Sequence, residues 1–208
     1  TGLTGTPNST SQNPFHVAGG SAPAPACPRY EGTGAPGLVT YRTSGKRISR
    51  ARHGVITSAR LHVEQREGMR HRSAFVTLTY RDVEGWAPLD ITEYVKGLTY
   101  WAKVRGYEIG YTWVAELQKR GAVHYHAVVW WSHKDPLKRL ERLPKPDASG
   151  MWRHGWSRIE KPRNPVGYLA KYASKGCDEL QMPLNLRLWG TGGLKLAQRL
   201  ELQWWRAP

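Results

Sequence analysis

The chain has 208 residues, enough for one well-packed core with a tail attached. Thirty-one Lys and Arg against sixteen Asp and Glu leave a formal net charge of +15, which argues for a polyanionic partner, nucleic acid first, and ten Trp with ten Tyr supply flat faces for bases. Two cysteines, Cys27 and Cys177, exclude a disulfide framework, while the absence of a run near the roughly 18 apolar residues of a membrane span, or of a signal peptide, points to a reducing cytoplasm and no membrane partner.

Residues 1–37 hold seven Gly and six Pro among Ser and Thr, with one basic and one acidic residue. Too little apolar surface is available there to offset the entropy of ordering, so a disordered tail is expected, followed by one domain over 38–208. That domain opens on a basic arm, 38–72, with nine Lys or Arg between Arg42 and Arg72 against Glu64 and Glu67. It reads as a phosphate-contacting arm or a solvated basic helix.

The stretch SAFVTLTYRD, 73–82, alternates β-branched and aromatic residues, with Val76, Leu78 and Tyr80 on one face and Phe75, Thr77 and Thr79 on the other. After Pro88, apolar residues at Ile91, Tyr94, Val95, Leu98, Trp101 and Ala102 have helical spacing, and Gly106 ends that helix. YTWVAELQ and AVHYHAVVWW follow as an antiparallel hairpin around Lys119, Arg120 and Gly121, glycine standing where such a loop needs a left-handed residue. HGWSRIEK, 154–161, reads as a further strand. Asn164 and Pro165 then cap and start another helix, since Asn satisfies free N–H groups and Pro costs nothing at the first position. The sum is an α+β fold, an antiparallel sheet with helices packed on one face.

If Gln118 faces Ala122, Glu116 falls opposite His124, and the period of two puts Glu116, His124 and His126 on one face. The other face, with Trp113, Ala115, Tyr125, Ala127 and Val129, is uniformly apolar and must be core. Opposed residues of a hairpin have Cβ atoms about 4.5–5.5 Å apart, close enough for a carboxylate and two imidazoles to meet at one ion. Two His and one carboxylate leave coordination positions open, the pattern of a catalytic divalent metal. The remaining histidines have no such partners in sequence and are read as structural or solvent-facing.

In NPVGYLAKYASKG, 164–176, Val166, Leu169, Ala170, Ala173 and Cys177 form a packing stripe, and Tyr168, Lys171, Tyr172 and Lys175 form a second. A basic aromatic face lying against DNA would explain the second stripe. A phenol is also a competent nucleophile toward a phosphodiester when a metal withdraws charge from the phosphate and a cation favours phenolate.

FVTLTY, then HYH with Glu116 eight residues before its first histidine, then YLAKYASK, occur in the order of the three motifs of HUH rolling-circle replication initiators, and the last resembles the two-tyrosine helix of the gene A replication proteins of small single-stranded DNA phages. WRHGWSRIE and LRLWGTGGL extend the resemblance over about 73–195. It implies a palm of RRM or ferredoxin-like topology with the active site on the sheet face opposite the helices. It also implies Mg²⁺ or Mn²⁺ on His124, His126 and Glu116, nicking and joining of single-stranded origin or hairpin DNA, and a helicase of the host as a further partner. Tyr172, in YASKG, is similar to the nucleophile of single-tyrosine initiators, and Tyr168 would take the second transfer. Lys171 and Lys175 would hold the phosphate or stabilise phenolate, and Thr77 and Thr79 would line the site. Transposases of the same superfamily share the later tyrosine. A non-catalytic RRM-like binding module or a water-using nuclease would explain parts of the pattern.

Overall fold

The computed structural model describes residues 40–42, 45–118, 121–174, 181–183 and 185–206. The elements in chain order are β1 (Thr40–Arg42), α1 (Gly45–Glu64), β2 (His71–Tyr80), α2 (Asp90–Val104), β3 (Tyr107–Leu117), β4 (Val123–His133), β5 (Gly155–Glu160), α3 (Pro165–Ser174), β6 (Gln181–Pro183), β7 (Trp189–Gly192) and α4 (Leu196–Arg206). Five strands make one antiparallel sheet in the order β5-β2-β4-β3-β7, and β1 pairs with β6 in a separate ribbon. The α+β class with an antiparallel sheet is therefore the one the patterning predicts. Taking β2, β3, β4 and β5 as the first four sheet strands gives the 4-1-3-2 order of a ferredoxin-like palm, with β7 added outside β3. The expected tail, 1–37, lies outside the described residues.

One face of the sheet is built as the alternation requires. Val76, Leu78, Tyr125, Ala127 and Val129 bury against Ile91, Tyr94, Leu98 and Trp101 of α2, and each fully buried Val, Leu or Ile among them stabilises by roughly 1.5–3 kcal/mol. The start of α2 is fastened by Asp90, whose Oδ2 accepts from the Tyr80 hydroxyl at 2.8 Å and from the Ala87 N–H at 2.9 Å. Its end is set by Gly106 in the left-handed region, φ 68°. The long connection 134–154 lays Leu140, Leu143 and Trp152 on this same face, where a helix would stand in a simpler palm.

The opposite face corrects one expectation. Helices were expected on one face only, yet α1 and α3 cover the other as well: Val55, Ala59, Leu169 and Ala173 pack on Phe75, Val114, Val128 and Trp130. The physical reason lies in the same period of two, because Val114, Val128 and Trp130 share parity with Glu116, His124 and His126. That face is half apolar and must be sheltered. The arm over 38–72 accordingly contains a packed helix: Ile48, Ala51, Val55 and Ala59 recur at helical spacing and are buried, with the basic residues turned outward. Gly54 permits this approach, since a Cβ there would meet the Trp189 ring at 2.2 Å. Among the described residues no helix is long and apolar enough to cross a membrane.

Candidate active site

The hairpin register is the one expected, Glu116 paired with His124 and Leu117 with Val123. Gln118 N–H donates to the Ala122 carbonyl at 2.9 Å, and Gly121 closes the turn at φ 87°; Lys119 and Arg120 lie outside the described residues. On the far side of β4, Thr77 pairs with His126 and Thr79 with His124. Glu116, His124, His126, Thr77, Thr79 and Phe75 thus share one face of three adjacent strands.

Within that group the carboxylate reaches across the diagonal. Glu116 Oε2 lies 2.6 Å from Nε2 of His126, the diagonal partner, and the rings of His124 and His126 have centroids 6.3 Å apart. Sheet twist accounts for this, since it turns diagonal pairs toward each other within reach of long side chains. The pair is sheltered, the side chains of His126 and Glu116 being 5% and 14% exposed. Thr77 Oγ1 stands 3.3 Å from Nδ1 of His126.

Those contacts determine which proton states the imidazole can take. If Nε2 carries the hydrogen and donates to Glu116, Nδ1 accepts from the Thr77 hydroxyl. If Nδ1 carries it and donates to Thr77, the Nε2 lone pair is available to a cation. A hydroxyl serves either role, so Thr77 is suited to orient His126 as a ligand. Among the described residues no three His, Cys, Asp or Glu side chains already form a metal cluster. Two imidazoles and one carboxylate on one face are nevertheless the donor types of an open divalent site, and Glu116, His124 and His126 are the residues that would hold such a cation.

The helix α3 reaches this group from above. Asn164 Oδ1 accepts from the Gly167 N–H at 2.9 Å, the cap the sequence predicts, and Leu169 and Ala173 bury toward the sheet. The tyrosine stripe packs too. The ring of Tyr172 stacks on His126 with centroids 3.6 Å apart and planes inclined by 16°. Phe75 backs all three aromatic groups, at 5.8 Å from His126, 5.6 Å from Tyr172 and 4.9 Å from Tyr168. Lys171 Nζ is 5.6 Å from the Tyr172 ring centroid. Lys175 lies outside the described residues.

Three neighbours carry more than the sequence reading assigned them. Phe75 shares the site face by parity, but its place beneath both tyrosines needed the helix to be docked. Arg52 of α1 lines the small cavity beside Tyr172, a cation that sequence spacing does not bring to the tyrosines. Trp156 of β5 pairs with Thr79 on the site face and is 56% exposed, so a flat apolar ring borders the site.

The family model described as replication-associated protein ORF2/G2P matches residues 73–177, just over half of the chain. The chain belongs to the replication-associated protein ORF2/G2P family. The match runs from β2 to just beyond α3, so Glu116, His124, His126, Tyr168 and Tyr172 all fall within the family region, whereas α1, β7 and α4 lie outside it. Membership identifies a replication initiator of the Rep type. No curated protein and no solved structure gives a significant match.

Proposed function

We propose that this replication-associated protein nicks and rejoins single-stranded origin DNA as a metal-dependent HUH endonuclease of the two-tyrosine type, through a covalent phosphotyrosine. The observation that carries this reading is the stacking of Tyr172 at 3.6 Å on His126, which itself lies 2.6 Å from Glu116. A nucleophile and a carboxylate–imidazole donor set, encoded in separate motifs, meet at one point of the sheet.

Glu116, His124 and His126 would hold Mn²⁺ or Mg²⁺, and a cation bound there withdraws charge from a phosphodiester oxygen. The rest is performed by side chains. Thr77 orients the His126 ring, and Phe75 fixes the planes of His126 and Tyr172. Lys171 and Arg52 raise the positive potential around the phenol, which favours phenolate. Lys175 keeps the phosphate-holding role proposed from the sequence. The phenolate oxygen of Tyr172 attacks phosphorus in line with the 3′-oxygen; a Tyr–O–P bond forms, the P–O3′ bond breaks, and the departing oxygen takes a proton. A 5′-phosphotyrosine and a free 3′-hydroxyl result. Attack by a 3′-hydroxyl reverses the step and needs no ATP, and Tyr168, one turn away, offers a second acceptor.

Family membership supports replication rather than transposition as the setting. A non-catalytic binding module would account for the charge and for Trp156, but it gives Glu116 no reason to reach His126 beneath a tyrosine. The test is incubation with a single-stranded oligonucleotide and Mn²⁺, followed by a denaturing gel. A band shifted by the mass of the 3′-side fragment supports the reading, and cleavage with no attached protein would assign the nucleophile to water.

A further inference from the structure

The row that pairs Glu116 with His124 continues across the sheet. His124 pairs with Thr79 on β2 and Thr79 with Trp156 on β5, so Glu116, His124, Thr79 and Trp156 form one line over four strands, all on the site face. The next line runs Val114, His126, Thr77 and Arg158. Neighbouring strands lie about 4.8 Å apart, so Trp156 stands roughly 10 Å from the His124 strand, at the edge of the sheet. The two ends of these lines differ. At the β3 and β4 end, Val55 and Ala59 of α1 and Leu169 and Ala173 of α3 cover the face. At the β5 end, Trp156 is 56% exposed and the Arg158 side chain 74%. The approach to the tyrosines along the sheet is therefore over β5.

Packing does not account for the Trp156 ring. Trp152, four residues earlier in the same WRHGW stretch, is 1% exposed and its Nε1 donates to the Thr79 carbonyl at 3.1 Å, so the core uses it fully. Trp156 has no hydrogen bond, ring contact or cation–π contact among the described residues. Exposed edge strands are protected from pairing with other chains by charged side chains, and Arg158 and Glu160, ion-paired at 3.0 Å, supply them here. A bare indole beside that pair undoes part of this protection unless something lies on it. A nucleotide base does so: every base has a π-face to offer the indole, and the two fused rings of a purine overlap it more fully than the single ring of a pyrimidine.

We propose that Trp156 is a specificity-determining residue of the candidate site: its ring stacks the base next to the phosphate presented to Tyr172 and favours a purine there. That the phosphate is the scissile one rests on the endonuclease reading above; the place of the ring rests on the strand register and its exposure.

The full chain is incubated with Mn²⁺ and a pool of single-stranded oligonucleotides randomised in sequence, and the fragments joined to protein and those released are sequenced. The parent should show a purine excess at one position beside the cut. Trp156 is exposed on an edge strand, so replacing it leaves the core intact. Trp156→Leu should return that position to the composition of the pool and leave the other positions as they were, which loss of a merely structural residue would not do. Trp156→Phe keeps a ring and should keep most of the excess. Arg158→Ala should lower the yield with the excess unchanged, since a phosphate contact carries no base information. In EDTA, where no chemistry intervenes, an oligonucleotide carrying 5-iododeoxyuridine should photocrosslink to Trp156, and Trp156→Leu should bind about tenfold more weakly, as loss of one stacked base does. No crosslink at Trp156, no purine excess in the parent, or the same excess in Trp156→Leu would overturn the proposal. If no adduct forms in any of these proteins, the endonuclease reading fails by itself; the pool is then sorted by binding in EDTA, where a purine excess that Trp156→Leu loses sustains the stacking role and its absence overturns it.

Discussion

His62 should make this fold acid-sensitive in a window set by one buried ring. It lies on α1, away from the candidate site, stacked on Trp130 with ring centroids 4.8 Å apart. Arg66 Nη1 stands 3.2 Å from its Nδ1, and a guanidinium can only donate, so Nδ1 is the acceptor and the hydrogen sits on Nε2. That nitrogen faces the Tyr111 carbonyl at 3.2 Å and Thr191 Oγ1 at 3.1 Å. The imidazole is therefore held neutral. Burial first, and the Arg66 charge second, push its pKa down from 6.5 to about 3. Because the folded value is depressed, the unfolded chain takes the proton first as pH falls; the stabilisation is complete above about pH 6.5 and is lost progressively toward about pH 3. Linkage over that gap gives a loss of about 2 kcal/mol by about pH 5, and at most about 5 kcal/mol at the acid end. Arg66, itself lowered to about 10 by burial and raised again by Glu108, keeps its charge throughout. His62→Gln retains a donor and an acceptor without titrating. Urea melts of both proteins between about pH 7 and about pH 5 should show the parent losing about 2 kcal/mol more than the variant, since carboxylates common to both cancel. Parallel stability curves would refute the assignment, as would an NMR titration of His62 near its ordinary value.

Chelation with EDTA should abolish nicking while DNA binding persists with a steep salt dependence, and Mn²⁺ should restore cleavage better than Mg²⁺ because two of the three proposed donors are imidazole nitrogens. Glu116→Ala should weaken metal affinity yet recover in excess Mn²⁺ better than His124→Ala does, read by activity across a metal titration; wild-type metal dependence in Glu116→Ala would move the third ligand elsewhere. Gly193→Ala should cost about 2–3 kcal/mol in a denaturant melt, since φ is 80° there and a Cβ would lie 2.0 Å from the Ile109 carbonyl oxygen.

The parts legible in the sequence were those fixed by local rules. The hairpin register followed from a period of two and a glycine suited to a left-handed turn at 121, and the start of α3 followed from an Asn–Pro pair. Both survive in the fold as Glu116 opposite His124 and as the Asn164 cap. The missed parts depend on contacts between distant segments. The buried stripe of α1, Ile48 to Ala59, is diluted by Gly54 and Ser58 and crowded by arginines, so neither mean hydropathy nor charge announced it. The site face was read from its polar members alone, and Val114, Val128 and Trp130 then required the cover that α1 and α3 provide. Register alone pairs Glu116 with His124, and only the twisted sheet directs its carboxylate to His126. Stacking of Tyr172 on that same histidine is equally non-local, since a helix face can be drawn from sequence but its docking position cannot.

The central claim is that Tyr172, seated on His126, is the nucleophile of the first strand cleavage. The measurement is peptide mapping of the covalent adduct formed with a single-stranded oligonucleotide and Mn²⁺, on the parent chain and on Tyr172→Phe, Tyr168→Phe and the double variant. The account predicts nucleotide attached to Tyr172, an adduct largely lost in Tyr172→Phe, first cleavage retained but strand transfer impaired in Tyr168→Phe, and no adduct in the double variant. Nucleotide found on Tyr168 alone, or cleavage persisting when both phenols are gone, would contradict it.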